Sequence, residues 1–377
     1  MKRIVILGAT GSIGKNTLSV LDGMLDRYEI VGLSAKSNIR RLIETAEKYH
    51  VKTIGITDDV DTSAFTFDGR ILKGKQCLTE LCDLADLVVI AVVGPDGLRP
   101  FIHCLKKHIT VAFATKEAMV YGGKILRDLI DETGTDVLPL DSEISAIYQA
   151  LRGNDKKSIK EIYLTASGGP FRTRDRERIA ASSLAEALNH PNWSMGRKIT
   201  VDSATMANKG LEIMETRWFF DVDPSLITVV IHPESIIHSA VKYKDNSVMA
   251  QMGETDMRTP IAYALNYPDR VENVSRELDL FSRTPLTFER PDLERFPALK
   301  LAMEAVRAGI GEQIVFNASN DRAVELFLQE RIGFYDISDI IKRSLDSYVP
   351  REISTVDDIF AIDEQVKALV EDVTRGM

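Results

Sequence analysis

Over the first 141 positions, short runs of aliphatic and β-branched residues alternate with segments of helical period. The runs are Arg3 to Leu7, Tyr28 to Ser34, Thr53 to Thr57, Leu87 to Val92, Ile109 to Ala114 and Val137 to Leu140. Continuous apolar strands separated by amphipathic helices predict a doubly wound parallel sheet covered on both faces. From Ile159 the pattern changes. Ser247-Val248-Met249-Ala250-Gln251-Met252 alternates with period two, and Asp245-Asn246 ahead of it suits a hairpin turn, so this part reads as α+β. Pro285, Pro291 and Pro297 then crowd a polar stretch that can continue neither a helix nor a central strand, and it is read as a connection. Beyond it Leu299, Ala302, Met303 and Val306 recur at helical spacing, and Ser354, three before Asp357, is a capping-box start for the last helix. The expected organisation is a sheet domain over 1–141, a central α+β domain over 142–280, a linker over 281–297 and a helical domain over 298–377.

Composition narrows the class. A chain of 377 residues, 44% hydrophobic and 27% charged, is long enough for two or three domains, each with its own core. The apolar run after Met1-Lys2-Arg3 ends at Leu7, too soon for a secretion signal, and reads as a buried strand. No window approaches the roughly 18 apolar residues of a membrane span. Cys77, Cys82 and Cys104 show no metal-ligand pairing and no nucleophile signature, as expected where thiols stay reduced, so a soluble cytoplasmic protein is expected. A net charge of -9 excludes general nucleic-acid binding. Leu151 to Phe220 nevertheless carries twelve Lys and Arg against eight Asp and Glu, which favours an anionic ligand there, the usual alternative for a few surplus cations being a solvated face.

Between the first strand and the first helix lies Gly8-Ala9-Thr10-Gly11-Ser12-Ile13-Gly14. Missing side chains there let backbone amides approach a pyrophosphate at a helix N-terminus that carries about half a positive charge. A Rossmann-like dinucleotide site follows, against the alternative of a tight turn that binds nothing. About 20 residues on, where an NAD site would place an acid for the ribose hydroxyl, the strand instead ends Ser34-Ala35-Lys36-Ser37-Asn38. A cation beside hydroxyl and amide donors suits the 2′-phosphate of NADP; the alternative is an exposed loop lysine.

Asp141 and Glu143, in Leu138-Pro139-Leu140-Asp141-Ser142-Glu143, stand at i and i+2 near the C-terminal end of a strand, where alternation lets both point the same way. Paired hard oxygens suit Mg²⁺ or Mn²⁺ better than zinc, although Asp-x-Glu pairs also face solvent. A third carboxylate is expected from Ser203 to Glu212, read as one helix. Its stripe of Met206, Ala207, Gly210, Leu211 and Met214 leaves Asn208, Lys209 and Glu212 on another side, facing solvent or a cleft. Ser167-Gly168-Gly169-Pro170 could offer amides and a hydroxyl to an anion, or be only a turn. His190-Pro191-Asn192-Trp193-Ser194-Met195-Gly196 reads as a loop able to close over substrate, or as one packed by Trp193. His238 reads as a satisfied core histidine.

Together these strings resemble the 1-deoxy-D-xylulose 5-phosphate reductoisomerase family. The shared motifs are the glycine turn, Ala114-Thr115-Lys116-Glu117, Leu140 to Glu143, Ser167 to Phe171, the run from His190 through Glu212, Ile231-His232-Pro233-Glu234-Ser235, and Phe296-Pro297-Ala298-Leu299-Lys300. They are spread over most of the chain in family order. The resemblance implies conversion of 1-deoxy-D-xylulose 5-phosphate to 2-C-methyl-D-erythritol 4-phosphate, by metal-assisted skeletal rearrangement and hydride transfer from NADPH, in isoprenoid biosynthesis. It implies that Asp141, Glu143 and Glu212 hold a divalent metal, Mg²⁺ or Mn²⁺ with Co²⁺ a further option, and that these three and Lys116 are catalytic. Substrate contacts are implied for Ser142, Glu143, Ser167, His190, Trp193, Ser203, Asn208, Lys209 and Glu212, with His190, Trp193 and Met195 in a mobile lid. Cofactor contacts are implied for Thr10, Gly11, Ser12, Ile13, Lys36, Ser37, Asn38, Thr115, Lys116, Glu117 and Gly196. A homodimer of V-shaped subunits ending in an α-helical bundle is implied as well, with no nucleic-acid or membrane partner.

Three places depart from the family pattern. Thr115 stands where the family has Asn, Ile144-Ser145 where it has His-Asn, and Lys36-Ser37 where it has Gly-Lys. The metal and phosphate residues are untouched, no role is carried to Ile144, and the preference for NADPH over NADH is put in question. Two rival readings fit less of the chain. A plain NADP-dependent dehydrogenase of the aspartate-semialdehyde type needs a cysteine nucleophile that none of the three provides. A nucleotide-sensing regulator leaves the acidic pair and the His190 to Glu212 run without a use.

Overall fold

The computed structural model describes residues 1–193, 195–272, 274–282 and 285–375. The elements begin β1 (Lys2–Leu7), α1 (Ser12–Leu21), β2 (Tyr28–Ala35), α2 (Ile39–Lys48), β3 (Thr53–Ile56), β4 (Arg70–Lys73), α3 (Cys77–Cys82), β5 (Leu87–Ile90), α4 (Leu98–Lys106) and β6 (Thr110–Phe113). They continue with α5 (Lys116–Thr133), β7 (Val137–Pro139), α6 (Ser142–Leu151), β8 (Ile159–Ala166), α7 (Arg176–Ala180), α8 (Leu184–Ala187), α9 (Arg197–Thr205) and α10 (Ala207–Phe220). Last come β9 (Ile227–Ile231), β10 (Ile237–Tyr243), β11 (Val248–Met252), α11 (Arg258–Asn266), α12 (Pro297–Ala308), α13 (Ile310–Leu328), α14 (Asp336–Ser347) and α15 (Val356–Arg375). Two compact units result. One comprises Met1–Ala118, Leu126–Ser145 and Asp256–Arg276, the other Met119–Ile125, Ala146–Thr255 and Glu277–Met377.

The first unit is built on a seven-stranded sheet in the order β4-β3-β2-β1-β5-β6-β7, parallel throughout. All six expected strands are present. The seventh, β4, was not legible: it has four residues at the sheet edge, with Arg70 and Lys73 exposed and only Leu72 buried, so it lacks the apolar run that marks a central strand. Ile4 to Leu7 of β1 and Leu87 to Ile90 of β5 are fully buried. Chain order reverses between these two strands, and ligands of such sheets gather at their carboxyl ends. The segment Asp256–Arg276 brings α11 against α1, and Tyr28 Oη donates to Leu265 O at 2.5 Å. Cys77, Cys82 and Cys104 are fully buried, and desolvation pushes the Cys77 thiol up to about 12.

In the second unit β11-β10-β8-β9 form one sheet, with β8 and β9 parallel and the other pairs antiparallel. The expected hairpin joins β10 to β11, with Asn246 left-handed at φ 69° and Tyr243 N donating to Ser247 O at 2.9 Å. Helices α12 to α15 pack together as a bundle, where Leu299, Ala302 and Val306 are buried as their spacing predicts and Met303 is half-buried. The capping box of α15 sits one residue later than expected. Thr355 Oγ1 accepts from Asp358 N at 3.1 Å, and an Asp358 carboxylate oxygen accepts from Thr355 N at 2.8 Å. Among the described residues no helix is long and apolar enough to cross a membrane.

One expectation about the middle of the chain is corrected. Ser203 to Glu212 is not a single helix: α9 ends at Thr205, Met206 turns left-handed at φ 61°, and α10 starts at Ala207. The turn is held by Met206 N donating to Ser203 O and Ala207 N to Thr205 Oγ1. The face expected to be polar and open is also largely closed, with Lys209 and Glu212 buried.

Candidate active site

In the first unit, the chain leaves β1 through Gly8, whose φ is +90° and where an added Cβ would sit 2.4 Å from Ala91 O. Gly8 N donates to Ser34 Oγ at 3.0 Å and Ala9 N to Ser34 O at 2.8 Å, so the turn is stitched to β2. At Gly14 a Cβ would meet Gly8 O at 2.4 Å, so α1 starts hard against the turn. Gly11 caps α1 without a side-chain hydrogen bond. The cradle is therefore lined by backbone, and Thr10, Gly11, Ser12 and Ile13 stay exposed or half-exposed for an anion. Lys36, Ser37 and Asn38 are exposed just beyond β2. The Asn38 side chain caps α2 through its oxygen, which accepts from Arg41 N at 3.1 Å; this uses none of its N–H donors, so Asn38 can donate beside Lys36 and Ser37.

Thr115 is buried, and its hydroxyl donates to Val92 O at 2.6 Å. Its one proton is thus used inside the protein, unlike an amide with two N–H bonds. Lys116 and Glu117 open α5; Lys116 is buried and its ammonium lies 2.8 Å from the Asp141 carboxylate. Asp141 and Glu143 are half-buried, but the alternation expected for them does not apply. β7 ends at Pro139, Asp141 caps α6 by accepting from Glu143 N at 3.1 Å, and Glu143 lies in the first helical turn beside Ser142. What brings the pair together is capping geometry. Ile144 and Ser145, the departures from the family pattern, are buried in the core.

In the second unit Ser167 follows β8, and Gly168 and Gly169 adopt φ of +84° and +67°. A Cβ on Gly169 would come within 2.6 Å of Ser203 O, so this turn rests on the last turn of α9. Ser167 Oγ accepts from Gly169 N at 3.2 Å and lies 3.1 Å from His190 Nε2. His190 Nδ1 accepts from Asn192 N at 3.2 Å and Trp193 N at 3.0 Å, which places the ring proton on Nε2, donating to Ser167. Desolvation pushes the His190 pKa down to about 4. Because this value lies below that of an exposed histidine, a loop-open or unfolded chain binds the proton more tightly. The closed arrangement is accordingly at full strength above about pH 6.5 and is lost as pH falls towards 4. An NMR titration of His190 is expected to show a midpoint near pH 4, with Trp193 fluorescence changing alongside; a midpoint at that of free histidine rules this out.

The rest of the loop is tied down in turn. Asn192 Nδ2 donates to Pro233 O at 2.6 Å and Ser235 Oγ at 2.9 Å. The half-buried Trp193 ring is centred 6.2 Å from that of His238, which is buried as expected. Met195 is half-buried, Gly196 is exposed and caps α9, and Ser194 lies outside the described residues. From Val201 to Thr216 every residue is buried except Ser203 and Asn208, which are half-exposed. Beneath them lies a buried ion pair of Lys209 with Glu212, whose other oxygen accepts from Asn208 Nδ2 at 2.5 Å. Two contributors escaped the sequence reading: Asn192, an unremarkable amide in a loop, and Asp202, which pairs with Lys198 one helical turn back and also with Asn320, more than a hundred positions away. The residues expected to be metal donors, Asp141 and Glu143 in the first unit and Glu212 in the second, are carboxylates alone, a set suited to a hard cation.

Three family models match, described as 1-deoxy-D-xylulose 5-phosphate reductoisomerase over residues 4–123, its C-terminal domain over 137–220, and DXP reductoisomerase C-terminal domain over 252–369. A 1-deoxy-D-xylulose 5-phosphate reductoisomerase of Thermoanaerobacter sp. (strain X514) is 45% identical, over 97% of this chain and 98% of its own. That of Geobacter metallireducens is 45% identical over 96% of both. A solved DOX-P reductoisomerase in complex with NADPH, fosmidomycin and magnesium superposes with a TM-score of 0.95 at 38% identity, covering 100% of this chain and 98% of that one. The Zymomonas mobilis enzyme in complex with NADPH gives 0.91 at 38% identity, with both chains covered completely. Motifs, fold and full-length similarity agree, and the chain belongs to the 1-deoxy-D-xylulose 5-phosphate reductoisomerase family.

Proposed function

We propose that this protein converts 1-deoxy-D-xylulose 5-phosphate to 2-C-methyl-D-erythritol 4-phosphate, using NADPH and a divalent metal ion, in the methylerythritol phosphate route to isoprenoids. The observation that carries the reading is the closed stretch from Val201 to Thr216, open only at Ser203 and Asn208 above the buried Lys209. Two polar side chains over a buried cation suit a phosphate group. In this reading Ser167, Ser203, Asn208 and Lys209 hold that phosphate, and the binding energy orients the reacting carbons. His190, Trp193 and Met195 cover the substrate and exclude water.

Asp141, Glu143 and Glu212 would hold the metal, Mg²⁺ or Mn²⁺ or in their place Co²⁺. Bound there, the cation supplies Lewis acidity towards the ketone and hydroxyl oxygens of the substrate, and NADPH supplies the hydride. Lys116 holds Asp141 in place, while Ser142 and Glu143 face the substrate. Thr10 to Ile13 receive the pyrophosphate, Lys36 and Ser37 with Asn38 the 2′-phosphate, and Thr115, Lys116, Glu117 and Gly196 line the nicotinamide end. Residues 1–141 serve mainly the cofactor, with Asp141 at their end given to the metal; 142–280 serve mainly the metal and substrate, with Gly196 given to the cofactor; and 298–377 form the helical domain beyond the linker 281–297. A cytoplasmic homodimer is part of the proposal. The edge strand β11 exposes Val248, Met249 and Met252, apolar positions that a second copy would cover, and light scattering in solution tests it.

The deciding assay mixes purified protein with NADPH, Mn²⁺ and 1-deoxyxylulose 5-phosphate. NADPH consumption is expected, abolished by chelator and restored by excess metal. Absence of turnover, or turnover indifferent to chelator, overturns the reading.

A further inference from the structure

We infer that Asp202, which touches neither substrate nor metal in the reading above, is a positioning residue for the substrate phosphate, acting through a clamp that fixes the roll of α9. The inference rests on the proposal that Ser203, Asn208 and Lys209 receive the phosphate. Asp202 is 1% exposed. Its carboxylate is 3.0 Å from Lys198 Nζ and accepts from Asn320 Nδ2 at 2.8 Å, and Lys198 is also 2.8 Å from Asp321. A carboxylate so deep persists only where charge and lone pairs are met. Lys198 and Asp202 are four apart on one face of α9, and Asn320 and Asp321 both belong to α13. The clamp therefore joins two helices face to face.

Ser203 is the next residue, about 100° further round the helix, and it is the one position between Val201 and Ala207 that is not buried. A roll of α9 by about 15° would move an atom about 4 Å from the axis by about 1 Å, a misplacement that costs as much as about 100-fold in rate. Slack is absent on the far side as well, because Gly169 packs on Ser203 O closely enough to exclude a Cβ. The same roll reaches the other phosphate donors: Met206 ends α9 and begins α10, so Asn208 and Lys209 inherit its orientation.

The test uses the full-length enzyme with NADPH and Mn²⁺, comparing Asn320→Leu and Asp202→Asn with wild type. Expected is a rise of about tenfold in KM for 1-deoxyxylulose 5-phosphate, the size of effect that weakening one hydrogen bond to a charged phosphate has on binding, with KM for NADPH unchanged and kcat reduced less. Asp202→Glu, which keeps the charge, is expected to recover part of the loss. Should Asn320→Leu not fold, Lys198→Gln opens the clamp from its half-buried end and is read in the same way. An unchanged KM for the sugar phosphate in folded variants overturns the inference, and so does a parallel rise in both KM values, which marks a merely structural role. A wild-type protein without turnover is a different failure, that of the functional reading itself.

Discussion

Glu212→Gln is expected to cut turnover by about 10²–10³-fold at saturating metal, far more than it reduces stability. The carboxylate is 1% exposed and is approached by Lys209 and by Asn208. The oxygen of glutamine can accept from Lys209, and its N–H group can donate to Asn208 once that amide turns its oxygen inward, so the buried hydrogen bonds survive and the charge pairing alone is lost. The proposed metal loses a negative ligand outright, and with it the charge that holds a hard cation where the substrate oxygens need it. Circular dichroism and a melting curve check that the variant is folded, and kcat across a metal titration reads the effect. A folded variant with wild-type turnover would remove Glu212 from the metal site.

Lys209→Met is expected to act in the opposite order, on stability first. Lys209 and Glu212 are both buried, and taking the cation away leaves a carboxylate in the interior without that counter-charge, at a cost of about 3–5 kcal/mol. The proposed metal would then take the place of Lys209 as a counter-charge for Glu212. Added Mg²⁺ or Mn²⁺ should therefore raise the melting temperature of this variant by more than that of wild type. In any protein that survives, the lost charged donor to phosphate should raise KM for the sugar phosphate by about 10–100-fold. A variant that melts with wild type in the absence of metal would mean that the pair carries none of the stability assigned to it.

How much of this was legible before the coordinates depended on whether a residue's role is local. The parallel sheet could be read because a strand buried on both faces needs an unbroken apolar run, and β1 and β5 have one. β4 could not, since an edge strand of four residues with charged ends looks like a loop. The glycine turn was legible because only glycine fits at Gly8 and Gly14, where a side chain would strike backbone. Met206 has no such signature: a methionine in left-handed conformation is marked by nothing in its neighbours, so two helices were read as one. The burial of Lys209 and Glu212 was hidden for a related reason. Periodicity reports which residues could face water, and it is silent when a buried charge finds its opposite one turn away. The bond from Asn320 to Asp202, beyond its near partner Lys198, and the return of Asp256–Arg276 to the first unit against α1 are pairings over distances that leave no trace in a local pattern. At Thr115, Ile144 and Ser145 the departures from the family pattern were visible as letters, but only the packing shows that all three side chains are taken up by the interior.

The deep burial of Cys77, Cys82 and Cys104 has a practical side. With no native thiol at the surface, a fluorophore or spin label delivered as a maleimide will find only a cysteine introduced for it. Asn189, exposed immediately before His190, offers such an attachment point, so the lid motion proposed for His190, Trp193 and Met195 can be tested on an otherwise wild-type background.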